Sequence, residues 1–202
     1  VIGDRALARD ATTIIDLGRE VIDGLIEGGV LPVMKHIPGH GRATADSHLA
    51  LPHVPETRES LSAADFVPFR SLAHCPIGMT AHVVYEAIDA ARPATTSSRV
   101  IHEVIRGEIG FDGILLSDDL SMNALQGTLA HRTKGALLAG CDIALHCNGK
   151  LDEMQEVASE AKTLEGAALK RSDAALSHLI EPGAFDAKAA EARLAELLGA
   201  VA

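Results

Sequence analysis

The sequence has 202 residues, 47% of them hydrophobic, and a formal net charge of −10. That length and apolar content suit one domain with a buried core, while the acidic balance argues against a phosphate-binding surface, so nucleic acid is not an expected partner. No run of about 18 apolar residues could span a membrane and no basic-then-apolar leader opens the chain, so no membrane partner is expected either.

Residues 1 to 10 read as a loop, broken by Gly3 and Asp4, leading into a helix over residues 12 to 27. That helix repeats apolar residues at three- and four-residue spacing (Ile14, Leu17, Val21, Ile22, Leu25, Ile26) and ends at Gly28 and Gly29. The apolar run from Val30 to Lys35 is too short for a helix and predicts a buried strand. Residues 61 to 72 predict two short helical pieces separated at Pro68, and residues 76 to 84 a second strand with His82 near its end. A helix capped near Ser97 and Ser98, with Val100, Ile101, Val104 and Ile105 inside, closes at Gly110. The continuous apolar centre of residues 111 to 117 fits a strand covered on both faces, running straight into Asp118 and Asp119. A helix from about Asn123 to Ala139, a fourth strand over residues 141 to 146 and Ala-rich helices from Leu151 complete the chain.

Strands alternating with helices predict the βα units of a parallel sheet. Four strands are too few for a closed eight-stranded barrel, which takes about 250 residues. The α/β pattern therefore fits the second half of a barrel or a small open sheet. The chain opens on Val1, and an N-terminal portion is expected to precede it. Cys75, Cys141 and Cys147 form no CxxC pair and each sits in an apolar run, which predicts packed hydrophobes in a reducing cytoplasm.

Reactive side chains concentrate in KHIPGHGRATADSH, residues 35 to 48, where a strand ends. Its His36, His40, Asp46 and His48 are all possible metal ligands, which gives a metal-dependent hydrolase as one alternative. Pro38, Gly39 and Gly41 forbid the regular helix that would hold His36 and His40 on one face, so no metal or other cofactor is expected. Asp46 and His48, one residue apart, can instead meet in a turn, where a carboxylate orients an imidazole for proton transfer. Asp118 adds a carboxylate from another strand, and two such groups facing each other suit glycosidic bond cleavage. Spacing alone does not choose Asp118 over Asp119. A strand alternates its faces, so only one of them looks inward while the other is free to cap a helix near Ser121.

The stretch KHIPGHGRATADSH, followed by GFDGILLSDDLSM at residues 110 to 122, resembles the β-N-acetylglucosaminidases of glycoside hydrolase family 3, in particular the bacterial enzymes of peptidoglycan recycling. VIGDRA at the start and DFVPFRSLA at residues 65 to 73 are similar to it too. The resemblance implies a (β/α)₈ TIM-type barrel of which residues 1 to 202 are the C-terminal half, strands five to eight, and a missing N-terminal half as partner. It implies a cytoplasmic, retaining exo-enzyme that removes terminal N-acetylglucosamine from muropeptides. Asp118 would be the nucleophile and His48 the general acid and base, with Asp46 orienting it. Arg5, Lys35 and His36 would bind sugar hydroxyls. Without its other half, the chain could instead be a non-catalytic sugar-binding fragment.

Overall fold

The computed structural model describes residues 3–43 and 50–199. In chain order it contains α1 (Ala11–Glu27), β1 (Val33–Ile37), β2 (His53–Val54), α2 (Arg58–Ala63), α3 (Val67–Ser71), β3 (Ile77–Thr80) and β4 (Val84–Tyr85). A π-helix (Val100–Glu108), β5 (Ile114–Asp119), α4 (Leu129–Ala139), β6 (Ile143–Leu145), α5 (Leu151–Glu160), α6 (Gly166–Leu176) and α7 (Ala187–Gly199) follow. The strands β1, β3, β5 and β6 form one parallel sheet in that spatial order, so successive βα units lie side by side as the alternation predicts. β2 and β4 pair separately, also in parallel.

The sheet is covered where it is central and open where it ends. β3 and β5 are almost wholly buried, but β1 leaves Val33 and Lys35 exposed and β6 is only half-buried along its length. On β5, Leu115 packs with the π-helix residues Val100, Ile101, Val104 and Ile105, all fully buried. Gly78 lets β3 lie close beneath Phe111, whose ring would stand 2.9 Å from any added Cβ. Tyr85, Phe66 and Leu61 extend the same core under the two-stranded sheet.

Several boundaries differ from those expected. α1 begins where its Asp10 cap accepts the Thr13 N–H at 2.9 Å, but it buries only Gly18 and Ile22, leaving Leu17, Val21 and Leu25 exposed. The break between α2 and α3 precedes Pro68, which sits in the first turn of α3 where a missing N–H costs nothing. The expected strand over residues 76 to 84 is two strands, because Val84–Tyr85 turns away to pair with His53–Val54. The helix after Ser97 winds as a π-helix, closing with Ile109 N–H to Val104 O at 2.8 Å. α4 starts at Leu129 rather than Asn123, behind Gly127 at φ +87 and a Thr128 cap bonded to His131 N–H.

Candidate functional site

Parallel strands bring their carboxyl ends to one edge of the sheet. There β1 presents Lys35 and His36, β5 presents Asp118 and Asp119, the residues after β3 supply His82, and those after β6 supply His146 and Cys147. Cis peptide bonds join Lys35 to His36 and Ile37 to Pro38 at the end of β1. The loop that follows is fixed at its root: the Tyr85 hydroxyl donates to the Gly39 carbonyl, and Arg42 Nε donates to Asp65 at 2.7 Å with Glu56 3.4 Å away. Asp46 and His48, further along the chain, lie outside the described residues.

The two aspartates of β5 are separated by environment. Asp118 is 4% exposed; its Oδ1 accepts the Asp119 N–H at 2.8 Å and its Oδ2 lies 3.6 Å from His36 Nε2. Asp119 points the other way, its Oδ1 accepting N–H groups from Ser121 at 3.0 Å and Cys147 at 3.2 Å and its Oδ2 the Ser121 hydroxyl at 2.6 Å. Burial alone would raise the Asp119 carboxyl, yet these donors outweigh it and hold the group below the usual carboxylate range. Asp119 thus closes a turn and ties β5 to the chain after β6. It caps no helix, since none begins near Ser121.

Burial pushes the His36 ring down to about 4, and the charges of Lys35, His40 and Arg5 act in the same direction against the pull of Asp118. The ring is therefore neutral at pH 7, able to donate one hydrogen bond and accept another. Of the expected sugar-binding residues, His36 meets the Asp118 carboxylate directly, while Lys35 and Arg5 act on the His36 ring through their charge. Lys35 and Arg5 are themselves exposed. Chemically, the edge offers a buried carboxylate oxygen beside a neutral imidazole, a pair suited to attack and to hydrogen bonding.

Among the described residues, no three His, Cys, Asp or Glu side chains group as a metal site. His36 and His40 meet edge to face with ring centroids 5.7 Å apart. A cavity of about 430 Å³ between the Arg92–Ser98 segment and α4 lies apart from this chemistry: neither Asp118 nor His36 lines it. The Arg132 guanidinium at its wall is occupied by the carbonyls of Leu120, Met122 and Gly127.

The sequence places His82 near the end of the second expected strand and gives it no assigned role. The structure buries its ring completely and bonds both nitrogens, Nδ1 to Thr95 Oγ1 at 2.7 Å and Nε2 to the Asp119 carbonyl at 3.0 Å. Its position just past a strand's carboxyl end was the available signal. Cys75 and Cys141 are free and buried, as expected of thiols that pack, and burial pushes Cys141 up to about 12; Cys147 departs from that expectation. Cys147 alone is exposed.

The model of the glycosyl hydrolase family 3 N terminal domain matches residues 1–181. A beta-hexosaminidase from Alkalilimnicola ehrlichii is 48% identical over 152 residues, which are 73% of this chain and 43% of that protein. One from Tolumonas auensis is 42% identical over 178 residues, 81% of this chain and 52% of that protein. Among solved structures, a glycoside hydrolase family 3 beta-N-acetylglucosaminidase from Paenibacillus sp. str. FPU-7 superposes with a TM-score of 0.80 at 32% identity, covering 92% of this chain and 38% of that one. NagZ from Neisseria gonorrhoeae, in complex with N-trifluoroacetyl-D-glucosamine, superposes with a TM-score of 0.75 at 32% identity, covering 96% of this chain and 54% of that one. The chain spans about half the length of the curated relatives it matches.

Proposed function

The chain belongs to glycosyl hydrolase family 3, and from that premise we propose that it carries the reacting half of a retaining exo-β-N-acetylglucosaminidase acting on peptidoglycan fragments in the cytoplasm. β1, β3, β5 and β6 are then strands five to eight of a (β/α)₈ barrel. Their carboxyl ends form half of its mouth, where such barrels place their chemistry. The half-open β1 and β6 and the exposed Leu17, Val21 and Leu25 of α1 support a complementary half that pairs with both edges. That the gonococcal relative was solved with an N-acylated glucosamine supports the choice of sugar.

One observation carries the reading: the Asp118 carboxylate, held on Oδ1 by the N–H of Asp119, turns Oδ2 toward His36. In the first step an Asp118 oxygen bonds to the anomeric carbon as the glycosidic C–O bond breaks, and the departing oxygen takes a proton from His48. In the second, His48 removes a proton from water, the water oxygen bonds to the anomeric carbon and Asp118 is released. Asp46 orients the His48 ring, replacing the second carboxylate that most retaining glycosidases use. Arg5, Lys35 and His36 hold the sugar's hydroxyls so that its anomeric carbon faces Asp118.

Trapping tests this. A slow fluorosugar of N-acetylglucosamine should leave a covalent label on the peptide containing Asp118, located by mass spectrometry. A label on Asp119, or none on any carboxylate of an active preparation, would overturn the assignment. A stoichiometric divalent ion whose chelation abolishes turnover would instead favour a metal-dependent hydrolase.

A further inference from the structure

Behind Asp118 lies a chain of hydrogen bonds that starts and ends on the backbone carrying it. The Asp118 N–H donates to Thr80 Oγ1 at 3.3 Å, Thr80 Oγ1 lies 2.8 Å from Thr95 Oγ1, and Thr95 Oγ1 lies 2.7 Å from His82 Nδ1. His82 Nε2 closes the ring at 3.0 Å from the Asp119 carbonyl. Thr80, His82 and Thr95 are all fully buried.

The proton positions follow from what each group can do. A carbonyl only accepts, so Nε2 must carry a proton. Burial drives the His82 ring down, so the ring is neutral and Nδ1 is an acceptor. Thr95 has one hydroxyl proton for two acceptors, Nδ1 at 2.7 Å and the Ala81 carbonyl at 3.2 Å; the shorter contact takes it, and Thr80 donates to the oxygen of Thr95. The Thr80 oxygen is left to accept the Asp118 N–H. The opposite tautomer would set the Nε2 lone pair against the Asp119 carbonyl oxygen.

We infer that Thr80, Thr95 and His82 are positioning residues that clamp the Asp118–Asp119 backbone at both ends and so fix the direction in which the Asp118 carboxylate points. The Oδ1 bond from Asp119 N–H depends on that same backbone, so the clamp aims Oδ2 without touching it. Positioning matters here because attack on carbon needs the oxygen within a narrow distance and angle, and a displacement of about 1 Å costs about a hundredfold in rate. The inference rests on Asp118 being the attacking group.

The test uses the full-length polypeptide and two readouts. Nitrogen NMR of the His82 ring should show Nε2 protonated and Nδ1 bare at neutral pH; a cationic ring or the other tautomer would overturn the clamp. Thr95→Val, which keeps the shape and removes the hydroxyl, should slow covalent trapping by the fluorosugar about tenfold to a hundredfold with its binding constant unchanged, and Thr95→Ser should restore most of the rate. Should Thr95→Val fold poorly, Thr80→Val paired with Thr80→Ser asks the same question. Wild-type trapping at Asp118 in a folded valine variant would refute the clamp while leaving the nucleophile assignment standing. A label elsewhere would refute the assignment itself, and with it the clamp's catalytic role.

Discussion

Asp118 Oδ1 accepts the N–H of Asp119 at 2.8 Å, while Asp119 turns its own carboxylate to Ser121 and Cys147, so two identical neighbours in β5 occupy opposite chemical settings. Asp118→Asn should abolish turnover on every substrate, by several orders of magnitude, because an amide cannot form the glycosyl ester. Asp119→Asn removes a charged acceptor of three bonds and should destabilise the fold by about 1–3 kcal/mol with much milder kinetic loss. Urea unfolding alongside initial rates separates the two. A reversal, with Asp119 the more damaging to rate, would sink the reading.

His36 makes stability pH-dependent in a known direction. Its ring titrates at about 4 when folded against 6.5 for an unperturbed imidazole, so between those values the unfolded chain binds the extra proton. The stabilisation is complete above pH 6.5 and is lost as pH falls toward 4, on the order of 3 kcal/mol in full. His82 shifts in the same direction and adds to the slope. His36→Gln should therefore flatten, without abolishing, the fall in urea midpoint between pH 7 and pH 4.5; an unchanged slope would show that His36 is not held neutral.

Local signals were readable and long-range pairings were not. The apolar centre of β5 and the αL stop at Gly140 follow from side-chain pattern and backbone chemistry within a few residues. Val100, Ile101, Val104 and Ile105 show equally well in sequence, but their spacing is common to α and π winding, so the π-helix was invisible. The split of the second strand depends on His53–Val54, thirty-one residues earlier at its nearest pairing, and no local pattern announces it. At the site, Asp118 and His36 stand out as reactive residues at strand ends. The Thr80, Thr95 and His82 network does not, because Thr95 reaches the other two only by folding back across a loop.

The open edges of the sheet predict a requirement for the complementary half. The isolated 202-residue chain should turn over a chromogenic N-acetylglucosaminide far more slowly than the full-length polypeptide, and equal rates would refute the half-barrel proposal. Val21, 52% exposed on α1, offers a finer probe. Val21→Lys should change the isolated chain's stability by no more than about 0.5 kcal/mol, as exposed substitutions do. In the full-length protein, where the complementary half would cover that face, burial of the unpaired charge should cost more.

Proton transfer by His48 should announce itself through the leaving group. His48→Ala removes the acid that protonates the departing oxygen, so natural disaccharides should lose far more rate than aryl glycosides whose leaving groups need no proton. With such aryl substrates the second step becomes limiting, and azide, a nucleophile that needs no base, should partly restore it. The root of the loop makes a graded version of the same experiment possible. Arg42, four residues before Asp46 and six before His48, is held by Asp65 at 2.7 Å and Glu56 at 3.4 Å. Arg42→Ala loosens that anchor while leaving every reacting group in place. Its loss should follow the same dependence on leaving-group acidity as His48→Ala, but weaker and without azide rescue. A loss independent of the leaving group in both variants would mean that this loop binds sugar and does not move protons.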